Sequence, residues 1–211
     1  MALAVGVIIC LSLSACNRAG MRIPGASSDF PETPTRYTAQ KSYPLKLFVL
    51  PPVDLRSDHY GERVAGTRWT ACTTDASLGT DVVPVLRDRV VKEVAASKLF
   101  AAVRQEGPGD ADLTLRTEIH AFCSQVVGFL YGRAAGIVAL NFTVEQRGRT
   151  LFKEKLERVV TDADPQYTGS QVSFIEQAMK VTMMDSLREL LRDLLQRLDQ
   201  AAAGWNMKTD S

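Results

Sequence analysis

The sequence predicts an α+β fold in which a mainly antiparallel sheet of about four to six strands carries two helices on one face. Three observations predict it. The runs "IVALNFTVEQ" and "LFKEKLERVV" flank Arg147-Gly148-Arg149, and so short a Gly-centred link joins strands in antiparallel fashion. Two longer stretches, from about Asp81 to Lys98 and from Val172 to Leu198, repeat apolar residues every three or four positions, the period of a helix with one buried face. The segment Asp112 to Val127 alternates apolar and polar residues, as a strand does when one face is core and the other wet.

In chain order, Leu45 to Leu50 is a short apolar run punctuated by Pro44 and Pro51, which suits a buried strand. A polar stretch with Gly61, Gly66 and Gly79 follows. Within it "TRWTACT" has the character of a second strand, with Arg68, Thr70 and Cys72 on one face and Trp69 and Ala71 on the other. Val82, Val85, Leu86, Val90 and Val94 then form the apolar stripe of the first helix, which Thr80 or Asp81 can cap and whose first turn tolerates Pro84. "KLFAAVRQ" supplies a brief strand and "EGPGDAD" a turn. In the next strand Leu113, Leu115, Thr117, Ile119, Ala121 and Cys123 point one way, and Thr114, Arg116, Glu118 and His120 the other. "GFLYGRAAG" interrupts before the hairpin, with Phe129, Leu130 and Tyr131 as apolar groups at a loop tip. The last helix carries Val172, Ile175, Met179, Met183, Leu187, Leu190, Leu194 and Leu198 on one stripe, with a capping-box pattern at Ser173 to Glu176. That stripe covers the sheet or, at its leucine-rich far end, meets a partner. Residues 201–211 have no period and are expected to be a frayed tail.

The amino-terminal run Ala2 to Ala15 has no charged side chain, yet it is shorter than the 20 or so residues that cross a bilayer. Its length and the small residues Ser14 and Ala15 suit a cleaved secretory signal. Leu13-Ser14-Ala15-Cys16 resembles the lipobox of bacterial lipoproteins. That resemblance implies a diacylglyceryl group on the Cys16 sulfur, cleavage before it and a palmitate-type acyl chain on the new amino terminus. Two or three acyl chains anchor stably where one binds only marginally. Residues 16–43, rich in Pro, Gly, Ser and Thr, read as a flexible tether, and residues 44–200 as a single periplasmic domain. In the lipoprotein pattern Asp after the lipidated cysteine favours the inner membrane; Asn17 here implies the outer one.

With 45% hydrophobic and 23% charged residues the chain can build a core, and its formal net charge of +1 gives no reason to expect a nucleic-acid partner. Once Cys10 goes with the signal and Cys16 with the anchor, Cys72 and Cys123 remain. In an oxidising periplasm they form a disulfide, or else they are two buried thiols. Catalytic equipment is sparse: His59 and His120 are the sole histidines, no CxxC is present, and "GPGDAD" lacks the lysine and context of a phosphate loop. His59 lies among Asp54, Arg56, Asp58, Tyr60, Glu62 and Arg63, a density that holds a cation or polar partner, or is knit by local ion pairs. Neither a metal site nor a cofactor is expected.

"LKLFVLPPVDLR", a helix ending in "VAASKLFAAV", the Asp-led strand "DADLTLRTEI", a Gly-rich hairpin and a closing helix together resemble periplasm-facing outer-membrane lipoproteins over residues 45–198. The groups concerned are the auxiliary lipoproteins of ABC-type envelope transport systems and small lipoproteins with a sheet like the amino-terminal domain of TolB. The resemblance implies a non-enzymatic, lipid-anchored adaptor that docks an envelope transport or assembly complex. Its contacts would be sheet edges, the loop with Phe129, Leu130 and Tyr131, and the last helix. The second reading is a carrier that holds a lipid between sheet and helices, in a pocket on the Met179 and Met183 face. An enzyme ranks third, since no residue constellation supports one.

Overall fold

The structure is a computed structural model and describes residues 34–56, 81–127, 133–161 and 172–205. Helix α1, Val82–Ala96, begins where Asp81 accepts a hydrogen bond from the Val83 N–H at 2.9 Å, and it buries Val82, Leu86, Val90 and Val94. Helix α2 spans Val172–Ala202, so Ser173 lies inside it rather than at its cap. The strands are β1 (Tyr43–Val49), β2 (Val53–Asp54), β3 (Phe100–Arg104), β4 (Leu113–Val127), β5 (Arg133–Gln146) and β6 (Arg149–Thr161). Between β5 and β6, Arg147 and Gly148 take φ of 50° and 80°, the two left-handed residues of a tight hairpin turn.

The six strands form one sheet in the order β3-β1-β4-β5-β6, with β2 beside β4. It is mixed rather than mainly antiparallel. β4, β5 and β6 are antiparallel neighbours, but β1 runs parallel to both β3 and β4, and β2 runs parallel to β4. The connection through α1 is long enough to return β3 beside β1 in the same direction. β4 then starts where β3 stops: Phe48 pairs with Arg104, and Leu47 with Leu113. The chain therefore crosses β1 instead of turning back. It is pinned there by Lys46, whose N–H donates to Asp112 Oδ2 and whose carbonyl accepts from the Asp112 N–H.

A bulge between Ile119 and Ala121 breaks the expected alternation of β4. The extra residue reverses which side chains face the helices. Leu113, Leu115, Ile119 and then Phe122 enter the main core beneath α1 and α2. Ala121 and Cys123, expected on that same face, instead join Ala135, Ile137 and Ala139 in a second small cluster, with Val159 against it.

Helix and sheet meet without a gap at Gly136. A Cβ there would lie 2.3 Å from the Met183 backbone nitrogen, so only glycine lets α2 approach β5 this closely. Ser186 stitches the contact: its Oγ accepts from the Val160 N–H at 3.0 Å and lies 2.9 Å from the carbonyl oxygens of Gly136 and Thr182. Among the described residues no helix is long and apolar enough to cross a membrane.

Candidate functional site

Residues 34–42, assigned to the tether by composition, lie as a strap across the ends of both helices. Thr35 donates from its N–H and its hydroxyl to Glu93 Oε2, at 2.9 and 2.6 Å. Glu93 is 4% exposed on α1 and pairs with Arg89 one turn earlier at 3.2 Å. Further along, the Tyr37 hydroxyl and the Gln40 N–H both donate to Asp199 Oδ2, at 2.7 and 2.8 Å, while the Ala39 N–H donates to the Ser97 carbonyl. Asp199 is 8% exposed near the end of α2. A buried carboxylate is costly unless its lone pairs find donors. The strap supplies those donors on each helix and so fixes the point at which the chain reaches the domain. Burial, the hydrogen bond to Asp199 and that residue's charge push the Tyr37 hydroxyl up to about 12.

The signal for this clasp was present in the sequence. Glu93 lies on the same helical face as Leu86 and Val90, and Asp199 falls beside Leu195, Leu198 and Ala202 on the leucine stripe. An acid on an apolar stripe requires a partner, and here the partners come from the segment ahead of β1. Beyond Ala202, Trp205 stacks on Phe100 with ring centres 6.4 Å apart, so part of the stretch expected to fray is docked.

Two open grooves flank the last turns of α2 and share Gln196 and Gln200. One lies toward β6, where Arg197 pairs with Glu154 at 2.9 Å; the other lies along the strap beside Tyr37, Gln40 and Lys41. Paired charges and amides line the first, while the second mixes Gln40, Gln196 and Gln200 with the rings of Tyr37 and Tyr43.

At the β4 bulge, His120 Nε2 lies 2.8 Å from Asn141 Nδ2 and 3.6 Å from Glu118 Oε2, and Asn141 donates to Glu118 at 3.1 Å. The cluster joins an imidazole and a carboxylate through the Asn141 amide. Its hydrogen bonds link β4 to β5 across the irregular register. Among the described residues no group of three or more His, Cys, Asp or Glu could hold a metal ion.

Of the residues singled out by sequence, Cys16, His59, Cys72, Phe129, Leu130 and Tyr131 lie outside the described residues, as does "TRWTACT". Cys123 is 6% exposed in the second cluster. The strap is at one end of the sheet, where β1 begins; β4 finishes and β5 starts at the other end.

No family model and no curated protein sequence matches the chain. Solved structures do. A DUF330 protein from Xanthomonas campestris superposes with a TM-score of 0.57 at 16% identity, over 82% of this chain and 95% of its own. A minor lipoprotein from Acinetobacter baumannii gives 0.41 at 17% identity, over 77% and 95% of the two chains. The first likeness shows a common fold and nothing beyond it, and the second falls short of that. The class that fold and geometry define is therefore an α+β domain with a mixed sheet, two helices on one face and a clasped amino-terminal strap.

Proposed function

We propose that this chain is a lipid-anchored, non-enzymatic adaptor of the bacterial cell envelope. Acylated Cys16 holds it on the periplasmic face of the outer membrane, where the domain docks a transport or assembly complex. The observation that carries this reading is the continuity from anchor to fold: an uncharged leader ends in Cys16, and a short Pro- and Ser-rich stretch leads into a strap that two buried carboxylates grip. In the same reading Cys72 and Cys123 are joined in the oxidising periplasm, and Phe129, Leu130 and Tyr131 contact the partner.

The adaptor is preferred to the lipid carrier for a packing reason. Met183 is fully buried and its backbone abuts Gly136, which leaves no room for a ligand where the carrier needs a pocket. The shared fold with the DUF330 protein agrees with the sequence resemblance without naming a partner.

Capture from crosslinked bacterial membranes through a carboxy-terminal tag, with Cys16→Ala as control, tests the role. The expected result is recovery of subunits of one envelope transport or assembly complex, lost in the control. Stoichiometric phospholipid with no protein partner would replace the adaptor by the carrier.

A further inference from the structure

We infer that the strap-bearing end of the domain is a membrane-facing surface for anionic phospholipid headgroups, and that the strap turns this end toward the bilayer. The inference rests on Cys16 being the anchor and adds to it an orientation and a lipid preference. β1 and β3 start at this end, α1 finishes there, and the strap reaches the end of α2 at Asp199; the start of β4, the end of β5 and the start of β6 follow level with Leu47, four residues along β1. The strap and the α1–β3 turn expose Arg36, Lys41 and Lys98, and the β5–β6 turn exposes Arg147 and Arg149 further along the sheet. The β3–β4 connection contributes Glu106, Asp110 and Asp112, but Asp110 is held between Lys46 and Arg104, and Asp112 bonds the Lys46 backbone. Asp199 is buried beneath the strap. Glu145 lies beside the β5–β6 turn, so the cations that surround the strap itself are Arg36, Lys41 and Lys98.

The point of entry sets which end stays near the lipid. Residues 17–33 are all that separates Cys16 from the first strap residue. β4 alone, at 15 residues, is about 50 Å long. The tether therefore keeps the strap end at the surface while the junction of β4 and β5 projects away from it. A cation close to an anionic leaflet raises partitioning roughly fivefold, and several in one patch multiply that effect. The charge and the attachment point coincide, which makes one end of the molecule both tethered and attracted.

Trp205, stacked on Phe100 at this end, is a native probe. In a Trp69→Phe background it is the sole tryptophan. The full acylated chain, purified from bacterial membranes, is reconstituted into vesicles that carry a dansyl-headgroup lipid, either neutral phosphatidylcholine or the same lipid with phosphatidylglycerol. Energy transfer from Trp205 to dansyl should be severalfold greater on the anionic vesicles. It should fall to the neutral level in about 1 M salt, where the screening length is about 3 Å, and in the variant Arg36→Gln, Lys41→Gln, Lys98→Gln, Arg149→Gln. Equal transfer on both vesicle types, or transfer indifferent to both salt and the variant, would overturn the inference. Flotation with neutral vesicles in high salt reports the anchor separately. A chain that fails to float loses the anchor, while the dependence of transfer on anionic lipid still judges the patch.

Discussion

Glu93 and Asp199 show how single residues on an apolar stripe can specify a long-range contact. Each would be an error in a purely hydrophobic pattern, and each is satisfied by a segment far away in sequence. Thr35→Val removes one of the two hydrogen bonds that Thr35 gives to Glu93 Oε2 and is expected to cost about 1–2 kcal/mol in urea unfolding. Glu93→Ala should cost more, about 3–5 kcal/mol, because it leaves buried Arg89 without its carboxylate. Tyr37 makes a prediction in pH. Its folded value, about 12, lies above the ordinary 10.0, so the folded state favours the neutral phenol. That contribution to stability is whole below pH 10 and is lost as pH rises from 10 through about 12. Unfolding free energy measured across that window should fall in the wild type, and Tyr37→Phe should remove the part of the fall that this phenol supplies.

At the scale of elements, the strongest periodicities were legible. The apolar stripe placed α1 within two residues of its observed bounds, and the Gly-centred link identified the β5–β6 hairpin. β2 was not legible, because two exposed residues carry no periodic signal and pair only through their backbone. The β4 bulge was hidden for a different reason: Ala121 and Cys123 are small enough to continue the apolar alternation in either register. Phe122, a large apolar residue on the supposed wet face, was the clue. The closest approach of the two layers gives the sharpest test of packing. Gly136→Ala sets a methyl group against the Met183 backbone rather than a movable side chain, so repacking cannot absorb it. A loss of about 3 kcal/mol or more is expected by thermal or urea unfolding, whereas Gly148→Asn, in the open left-handed turn, should cost less than about 1 kcal/mol.

At the scale of the whole molecule, sheet order was the least legible property. Which strand β1 chooses depends on contacts across tens of residues, and the short β3–β4 connection conceals that β4 runs on beyond β3 instead of returning along it. The strap was missed because its composition is that of a linker; only the acids waiting for it on the helices betray it. The proposed site is likewise spread over the molecule, with an anchor at one end and a partner loop joined to the other. In the adaptor reading the bond between Cys72 and Cys123 ties the polar segment before α1 to β4. Nonreducing peptide mapping should recover that crosslink, and reducing it should lower stability by about 4 kcal/mol for a loop of this length. The central claim, that a lipid at Cys16 holds this domain to a membrane, is tested most directly by the mass of the amino-terminal peptide from the membrane fraction. The account predicts a peptide beginning at Cys16 and carrying diacylglyceryl and acyl groups. A peptide that begins at Met1, with Cys16 a bare thiol, would contradict it.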